Sequence, residues 1–125
     1  MERRDFLCSA AAVAAGTLVA PPVVKADNQA AQKKYGVKIT VVKRDFDKAM
    51  NEKYKTGNRG PCDQLAVNHE FIAKMPWVPP EKFCEWAWAD IRTYIHMVNI
   101  SGNPMLTCCT DGNRPVTFRL ERVEL

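Results

Sequence analysis

The chain lacks the motifs by which most small enzymes are identified from sequence. Its 125 residues contain only two histidines, and no Ser-His-Asp pattern or pair of catalytic acids can be assembled around them. None of the six glycines belongs to a phosphate-binding loop. Hydrolase and kinase activities therefore have little support, and we expect the protein not to be an enzyme.

The chain also lacks a concentration of charge and a second long apolar run. Its net charge is only +4, spread over 18 basic and 14 acidic side chains. Nucleic-acid binding requires a clustered basic surface, so we expect no nucleic-acid partner. Because the one long apolar segment lies near the N-terminus, we expect no stable membrane span in the mature protein.

The first 26 residues have the order of an export signal: a charged start, an apolar middle and a small-residue exit at Ala26. Arg3 and Arg4, followed by Phe6 and Leu7, match the R-R-x-F-L core of twin-arginine signals. We therefore predict cleavage after Ala26 and export to the periplasm or beyond. This route carries folded proteins, often with a cofactor already bound, which favours a metal or redox centre.

The remaining residues predict a flexible linker over 27–36 and one α+β domain over 37–125. Strand patterns occupy residues 37–42, 70–73, 105–109 and 116–121, and helical patterns follow an Asp45 cap up to Gly57 and span 81–98. The turn signal Thr110-Asp111-Gly112-Asn113 predicts a C-terminal hairpin. The expected order is β-α-β-α-β-β, with a mostly antiparallel sheet and the helices packed on one face.

Four cysteines carry the strongest chemical signal in the predicted domain. Cys62 is placed in a loop, Cys84 near a helix start, and Cys108 and Cys109 at a strand end. Four thiolates form a complete ligand set for zinc or an iron-sulfur cluster, although the chain has no C-x-x-C pair and its spacing matches no standard signature. Adjacent strand residues point to opposite faces, so Cys108 and Cys109 can share a metal only if the backbone bends there.

Three readings of these cysteines follow. The first is a metal or iron-sulfur binding redox accessory domain, with copper held in reserve because Met75, Met97 and Met105 could supply soft ligands. These methionines otherwise fill gaps in the core. The alternative is a disulfide-stapled binding module that assists a larger exported redox enzyme and holds no cofactor. Free or reactive thiols are a third possibility, with Cys84 favoured by its helix start.

Other candidate residues lie close to the cysteines in sequence. Trp86 and Trp88 could cover the cysteines or pack in the core, as could Trp77, and Asp90 is expected to pair with an arginine. Asp111 is expected to accept hydrogen bonds from turn amides. Arg114 could bind an anion, although a role in the turn explains both residues more simply.

Three segments of the domain are similar to a family of small conserved proteins of unknown function. They are Gly60-Pro61-Cys62, the run from Phe83 to Ile91 and the run from Cys108 to Phe118; residues 37–44 extend the resemblance. The resemblance implies membership of that family and no particular activity. Many such relatives lack a leader and reside in reducing cytoplasm, which makes a purely disulfide role for the shared cysteines less attractive. This chain differs in carrying a leader and in reducing the glycine-rich insertion after the long helix to residues 101–104.

Overall fold

A computed structural model describes residues 32–125 of the chain. The predicted leader and residues 27–31 of the predicted linker lie outside the described residues. The structure is an α+β domain of four strands and two helices in the predicted order. The elements are β1 (Tyr35–Arg44), α1 (Lys48–Tyr54), β2 (Glu70–Ala73), α2 (Glu85–Ser101), β3 (Met105–Cys108) and β4 (Val116–Glu124).

The four strands form one open sheet in the order β2-β1-β4-β3, and every neighbouring pair is antiparallel. β1 and β4 are the longest strands and form the centre, where Ile39 lies opposite Leu120 and Val41 opposite Phe118. Their alternation of apolar and polar side chains sends one set to the core and the other to solvent. β2 and β3, each of four residues, are the sheet edges.

Helix α2 covers the apolar face of the sheet and completes the hydrophobic core. Its buried side chains recur at helical spacing: Ala87, Trp88, Ile91, Ile95 and Val98. They pack with the inward strand residues into a single cluster that also contains Leu65 and Phe83. The described residues thus form one compact unit with a core of its own, which is the physical requirement for folding independently.

The structure corrects both ends of the predicted α2. The helix begins at Glu85, after Cys84 in an extended conformation, rather than at residue 81. Lys82 has φ = 61°, which interrupts any helical path through this segment. Gly102, with φ = 76°, ends the helix after Ser101. The predicted apolar stripe is also wrong at Tyr94, which is 40% exposed.

The first helix differs from its prediction in its boundaries and packing. Asp47 rather than Asp45 is the N-cap, and its carboxylate accepts the Met50 backbone N–H at 2.9 Å. The helix ends at Tyr54, with Lys55 as its C-cap and before Gly57, and it contains no buried residue. α1 is therefore an appendage beside the core, and α2 supplies the helical cover of the sheet.

The sheet face opposite α2 carries mainly paired charges. Lys38, in the centre of β1, lies 3.4 Å from Glu70 and 3.5 Å from Glu121. Arg119 also contacts Glu121, at 2.8 Å. The two Lys38 pairs cross between strands and the Arg119 pair lies within β4, and such pairs are characteristic of a solvated sheet surface. No helix within residues 32–125 is both long and apolar enough to cross a membrane.

Candidate functional site

Three of the four predicted cysteine ligands line one surface pocket of about 360 Å³, here called the thiol pocket. The pocket lies where the start of α2, the loop before β2 and the β3–β4 turn meet. Its lining consists of Cys62, Gln64, Cys84, Trp86, Ala87, Cys109, Thr110, Asp111, Gly112 and Arg114. Cys62, Cys84 and Cys109 are each half-buried and pack against the edge of the core. Residues far apart in sequence therefore share one concave surface.

Cys84 reaches the pocket because it is the residue at which extended chain becomes helix. As the N-cap of α2 it has φ −65° and ψ 120°, and its carbonyl accepts the Trp88 N–H at 2.9 Å. Its thiol makes no capping hydrogen bond. The position is fixed by the helix while the side chain stays free to engage another group.

Cys109 is held by β4 and by the residue that follows it. Its backbone N–H donates to the Val116 carbonyl at 3.1 Å, and its Sγ lies 3.3 Å from the Val116 nitrogen. Thr110 then ties this strand end to α2. The Thr110 N–H donates to the Asp90 carboxylate at 2.8 Å, and Trp86 Nε1 donates to Thr110 Oγ1 at 3.1 Å. The helix start and the strand end therefore hold each other at the pocket rim.

Contrary to the expectation from sequence, the partner of Asp90 is Thr110 and not an arginine of the described residues. Its two carboxylate oxygens lie 3.0 and 3.1 Å from Thr110 Oγ1, in addition to accepting the Thr110 N–H. The hydroxyl and the backbone N–H of one residue, Thr110, satisfy this carboxylate, because Thr110 lies next to Asp90 at the end of the strand. Asp90 thus positions Thr110, and through it Cys109.

Asp111 and Arg114 shape the turn that forms one pocket wall. As predicted, Asp111 accepts turn amides: Oδ1 receives the N–H groups of Asn113 and Arg114, each at 3.0 Å. Partial burial acts to raise the pKa of Asp111, but these two N–H groups and the Arg114 guanidinium outweigh it and hold the pKa below its ordinary value. Arg114 Nε lies 3.4 Å from Asp111 Oδ2 and has no aligned hydrogen-bond acceptor.

Asn113 is the buried polar residue that anchors this turn to the rest of the domain. Its Nδ2 donates to the Asp47 carbonyl at 2.8 Å, and its Oδ1 accepts from Asn58 Nδ2 at 2.6 Å and Thr56 Oγ1 at 3.0 Å. The Asp47 N–H donates in return to the Asn113 carbonyl at 2.9 Å. These bonds join the pocket turn to the cap of α1 and the loop that follows α1.

Cys62 lies in the irregular segment before β2 and is positioned through its backbone. Arg44, at the end of β1, donates from Nη1 to the Cys62 carbonyl at 2.7 Å. This charge-assisted bond crosses 18 residues of sequence and fixes the loop against the sheet. The third thiol of the pocket therefore depends on a strand residue that is not part of the pocket.

The structure places Cys108 away from the other three cysteines. Burial alternates along β3, so Cys108 is exposed on the face opposite the core while Cys109 turns inward. The bend that would bring both thiols to one metal is absent from the strand itself. The four cysteines in the described part of the chain are free thiols. Among residues 32–125, no three His, Cys, Asp or Glu side chains already converge as a metal-binding group.

The tryptophans and methionines have separate roles. Trp88 is a core residue, whereas Trp86 lines the pocket and is 68% exposed. Trp77 packs partly against the core. Met105 also packs there, but Met75 and Met97 are exposed and fill no gap. None of the three methionines is a lining residue of the thiol pocket.

Sequence reasoning missed Gln64, which lines the pocket, and three residues that position the site: Arg44, Thr110 and Asn113. Thr110 and Asn113 belong to the predicted turn, but the pattern of a turn does not reveal long-range partners. Comparison of the chain with protein-family models, with curated protein sequences and with solved structures returns no match. The family resemblance therefore rests on the quoted segments alone, and the three that contain cysteines each contribute to the lining of the thiol pocket.

Proposed function

We propose that this protein is an exported accessory domain that binds one thiophilic metal ion in the thiol pocket, through Cys62, Cys84 and Cys109. The observation that carries the proposal is that three half-buried thiols, from three separate parts of the chain, line one pocket. The proposed role is binding rather than catalysis. The pocket lining contains no histidine, and the Asp111 carboxylate already accepts two backbone amides.

The thiols line the pocket wall, so the metal would draw them inward. This motion is available because none of the three residues is inside a helix or strand: Cys62 is in a loop, Cys84 caps α2 and Cys109 follows β3. The Val116 N–H next to Cys109 Sγ is the kind of surrounding donor that supports a thiolate ligand. An odd number of neighbouring thiols also suits a metal better than disulfides, which would leave one cysteine unpaired.

A single ion fits three thiolates better than a cluster does. The common iron-sulfur clusters take four cysteine ligands, and Cys108 lies on the other face of the sheet. Zinc accepts three protein ligands and keeps a fourth position open, and soft thiolates also select cuprous copper. Zinc and cuprous copper are therefore the two probes for this site.

The test is metal binding by residues 27–125 and by single-cysteine variants. After anaerobic purification, bound metal is measured by mass spectrometry, and affinity is measured by competition with a chromophoric chelator. We expect one ion per chain, strong loss of affinity in Cys84→Ser, and little change in Cys108→Ser, the matched control outside the pocket. A protein that binds neither ion at stoichiometry, or that loses binding equally in both variants, contradicts the three-thiol site.

Alkylation of the unfolded, unreduced protein separates the proposal from the disulfide-stapled module. Four alkylated cysteines in the metal-free chain are expected, whereas two or fewer would indicate disulfides. The export proposal rests on the R-R-x-F-L motif and has its own test. Replacing Arg3 and Arg4 together with lysine should leave the chain in the cytoplasm of a host that has the twin-arginine route, and unchanged export would remove this part of the proposal.

A further inference from the structure

The thiol pocket is larger than one metal ion and a water ligand require. An ion held by three protein ligands keeps a fourth position, which a water molecule fills in the simplest case. One water takes up about 30 Å³ of liquid volume, whereas the pocket measures about 360 Å³. Pockets for small molecules begin at about 300 Å³. The space therefore fits one compact organic molecule beside the ion.

Arg114 brings a cation with unused hydrogen-bond donors to this pocket. Its Nε lies 3.4 Å from Asp111 Oδ2, and neither of its Nη groups donates to a residue of the described chain. The guanidinium is a planar fork that binds a carboxylate through two parallel N–H bonds. A carboxylate on the ligand is therefore the group that completes the hydrogen bonding of Arg114.

Asp111 brings an anion to the same wall of the pocket. Its Oδ1 accepts two backbone amides, but within residues 32–125 its Oδ2 has only the longer contact with Arg114 Nε. An ammonium group, which carries three donors and no acceptor, fits this oxygen. A simple anion would be repelled by Asp111 and by the thiolates, whereas a zwitterionic head group adds no net charge. The pair of Asp111 and Arg114 thus favours an α-amino acid.

The metal position selects the side chain of that amino acid. Three thiolates favour a thiophilic ion, and such an ion prefers sulfur as its next ligand. Cys108 cannot supply this sulfur, because it is exposed on the sheet face opposite the core. A fourth thiolate must therefore come from outside the chain, and a thiol on the ligand provides it.

Trp86 forms an apolar rim beside these groups. Its side chain is 68% exposed, yet its Nε1 is bonded to Thr110 Oγ1 at 3.1 Å. An aromatic ring that is already fixed loses little freedom when a ligand packs against it. The area that Trp86 buries on binding therefore adds to the affinity.

We propose that the thiol pocket binds its metal ion together with an amino-acid thiol of the cysteine type, an inference that rests on the proposed metal-binding function. The sulfur of the ligand releases its proton to solvent and occupies the fourth metal position. Its carboxylate pairs with Arg114, and its ammonium pairs with Asp111 Oδ2. The domain thus carries a complex of metal and amino acid, and not the bare ion.

The test is titration calorimetry of L-cysteine into residues 27–125 loaded with zinc or cuprous copper. The titration is anaerobic, with the metal-free chain as blank, and native mass spectrometry verifies that chain, metal and cysteine stay in one complex. Three probes each lack one contact: cysteamine has no carboxylate, 3-mercaptopropionate no ammonium and serine no thiol. We expect one cysteine per loaded chain, and a dissociation constant about tenfold higher or more for each of the other probes.

Arg114→Gln tests which residue holds the carboxylate. It should raise the dissociation constant for cysteine about tenfold and leave that for cysteamine unchanged, because cysteamine has no carboxylate to lose. A purely structural role of Arg114 would weaken both ligands equally. Arg119→Gln removes an arginine that pairs with Glu121 outside the pocket, and as the matched control it should leave both constants unchanged. Circular dichroism verifies that the variants fold.

The failure of this proposal can be distinguished from the failure of the proposed function. A chain that retains neither zinc nor cuprous copper overturns both. A loaded chain that binds cysteine no more tightly than cysteamine and 3-mercaptopropionate overturns the amino-acid ligand and leaves the three-thiol site intact. Equal weakening of cysteine and cysteamine in folded Arg114→Gln also overturns the assigned ligand.

Discussion

Replacing the buried turn residue Asn113 with alanine should destabilise the domain more than the same change at any exposed residue near the pocket. The side chain makes three hydrogen bonds that join residues 55 to 66 positions apart in sequence: to the Asp47 carbonyl, to Asn58 Nδ2 and to Thr56 Oγ1. Alanine removes both the donor and the acceptor of this amide. The loss leaves the Asp47 carbonyl in a site where water must replace a protein donor.

The magnitude follows from the number and burial of these bonds. Each contributes about 0.5 to 1.5 kcal/mol net, so three predict a loss of about 2 to 4 kcal/mol in the free energy of unfolding. For a domain of this size, such a loss lowers Tm by about 10 to 25 °C. This is a large share of the stability of a small domain, since the whole free energy of unfolding is about 5 to 15 kcal/mol.

The assay is urea unfolding of residues 27–125 followed by tryptophan fluorescence, with thermal unfolding as a second measure. Asn103→Ala is the matched control, because Asn103 is an exposed loop asparagine whose side chain makes no hydrogen bond among the described residues. We expect that control to unfold like wild type. An Asn113→Ala protein within about 0.5 kcal/mol of wild type would refute the reasoning, since ordinary surface substitutions fall in that range.

Two further predictions concern Asp111 and the glycines. The lowered pKa of Asp111 means that its charge stabilises the fold above the unfolded pKa of about 3.9, and that this contribution is lost as the pH falls through the lower folded pKa. Asp111→Asn should therefore be less stable than wild type at neutral pH by at most about 1 kcal/mol, because solvent screens a half-exposed ion pair. The difference should shrink below about pH 4 in urea unfolding measured against pH; a constant difference would contradict it. Gly102→Ala should cost more than Gly57→Ala, although both glycines have φ = 76°. The cost of the left-handed conformation is about 1 kcal/mol in each, but a Cβ at 102 would also lie 2.6 Å from Arg122 Nη2, while none lies near Gly57. Equal free energies of unfolding for the two variants would show that Arg122 moves aside without cost.

The elements that the sequence predicted well are those with strict local patterns. β2 was predicted at its observed limits, and β3 and β4 at their observed starts, because apolar alternation and Gly, Pro or Asp residues mark these positions. The predicted start of α2 was wrong because nothing in the sequence marks the left-handed backbone conformation of Lys82. The apolar side of α1 did not reveal that the helix lies outside the core. The position of a helix in the fold depends on contacts made elsewhere in the chain.

Three of the four predicted cysteines lie at the thiol pocket, but the sequence did not predict how the pocket is assembled. The opposite faces of Cys108 and Cys109 follow from strand alternation and were anticipated as a condition on the four-cysteine set. That Cys62 lines the same pocket as Cys84 and Cys109 depends on the loop held by Arg44, a contact across 18 residues that no local pattern encodes. The same holds for Asn113 and Thr110, whose partners lie on other elements.

X-ray absorption at the zinc edge of the loaded protein tests the central proposal most directly, because it counts the sulfur atoms around the metal. Three sulfur neighbours at about 2.3 Å and one lighter neighbour are expected, unchanged in Cys108→Ser. In Cys109→Ser the sulfur count should fall. A first shell of nitrogen and oxygen only, or a fourth sulfur that disappears with Cys108, would contradict a metal site built from the three thiols of the pocket.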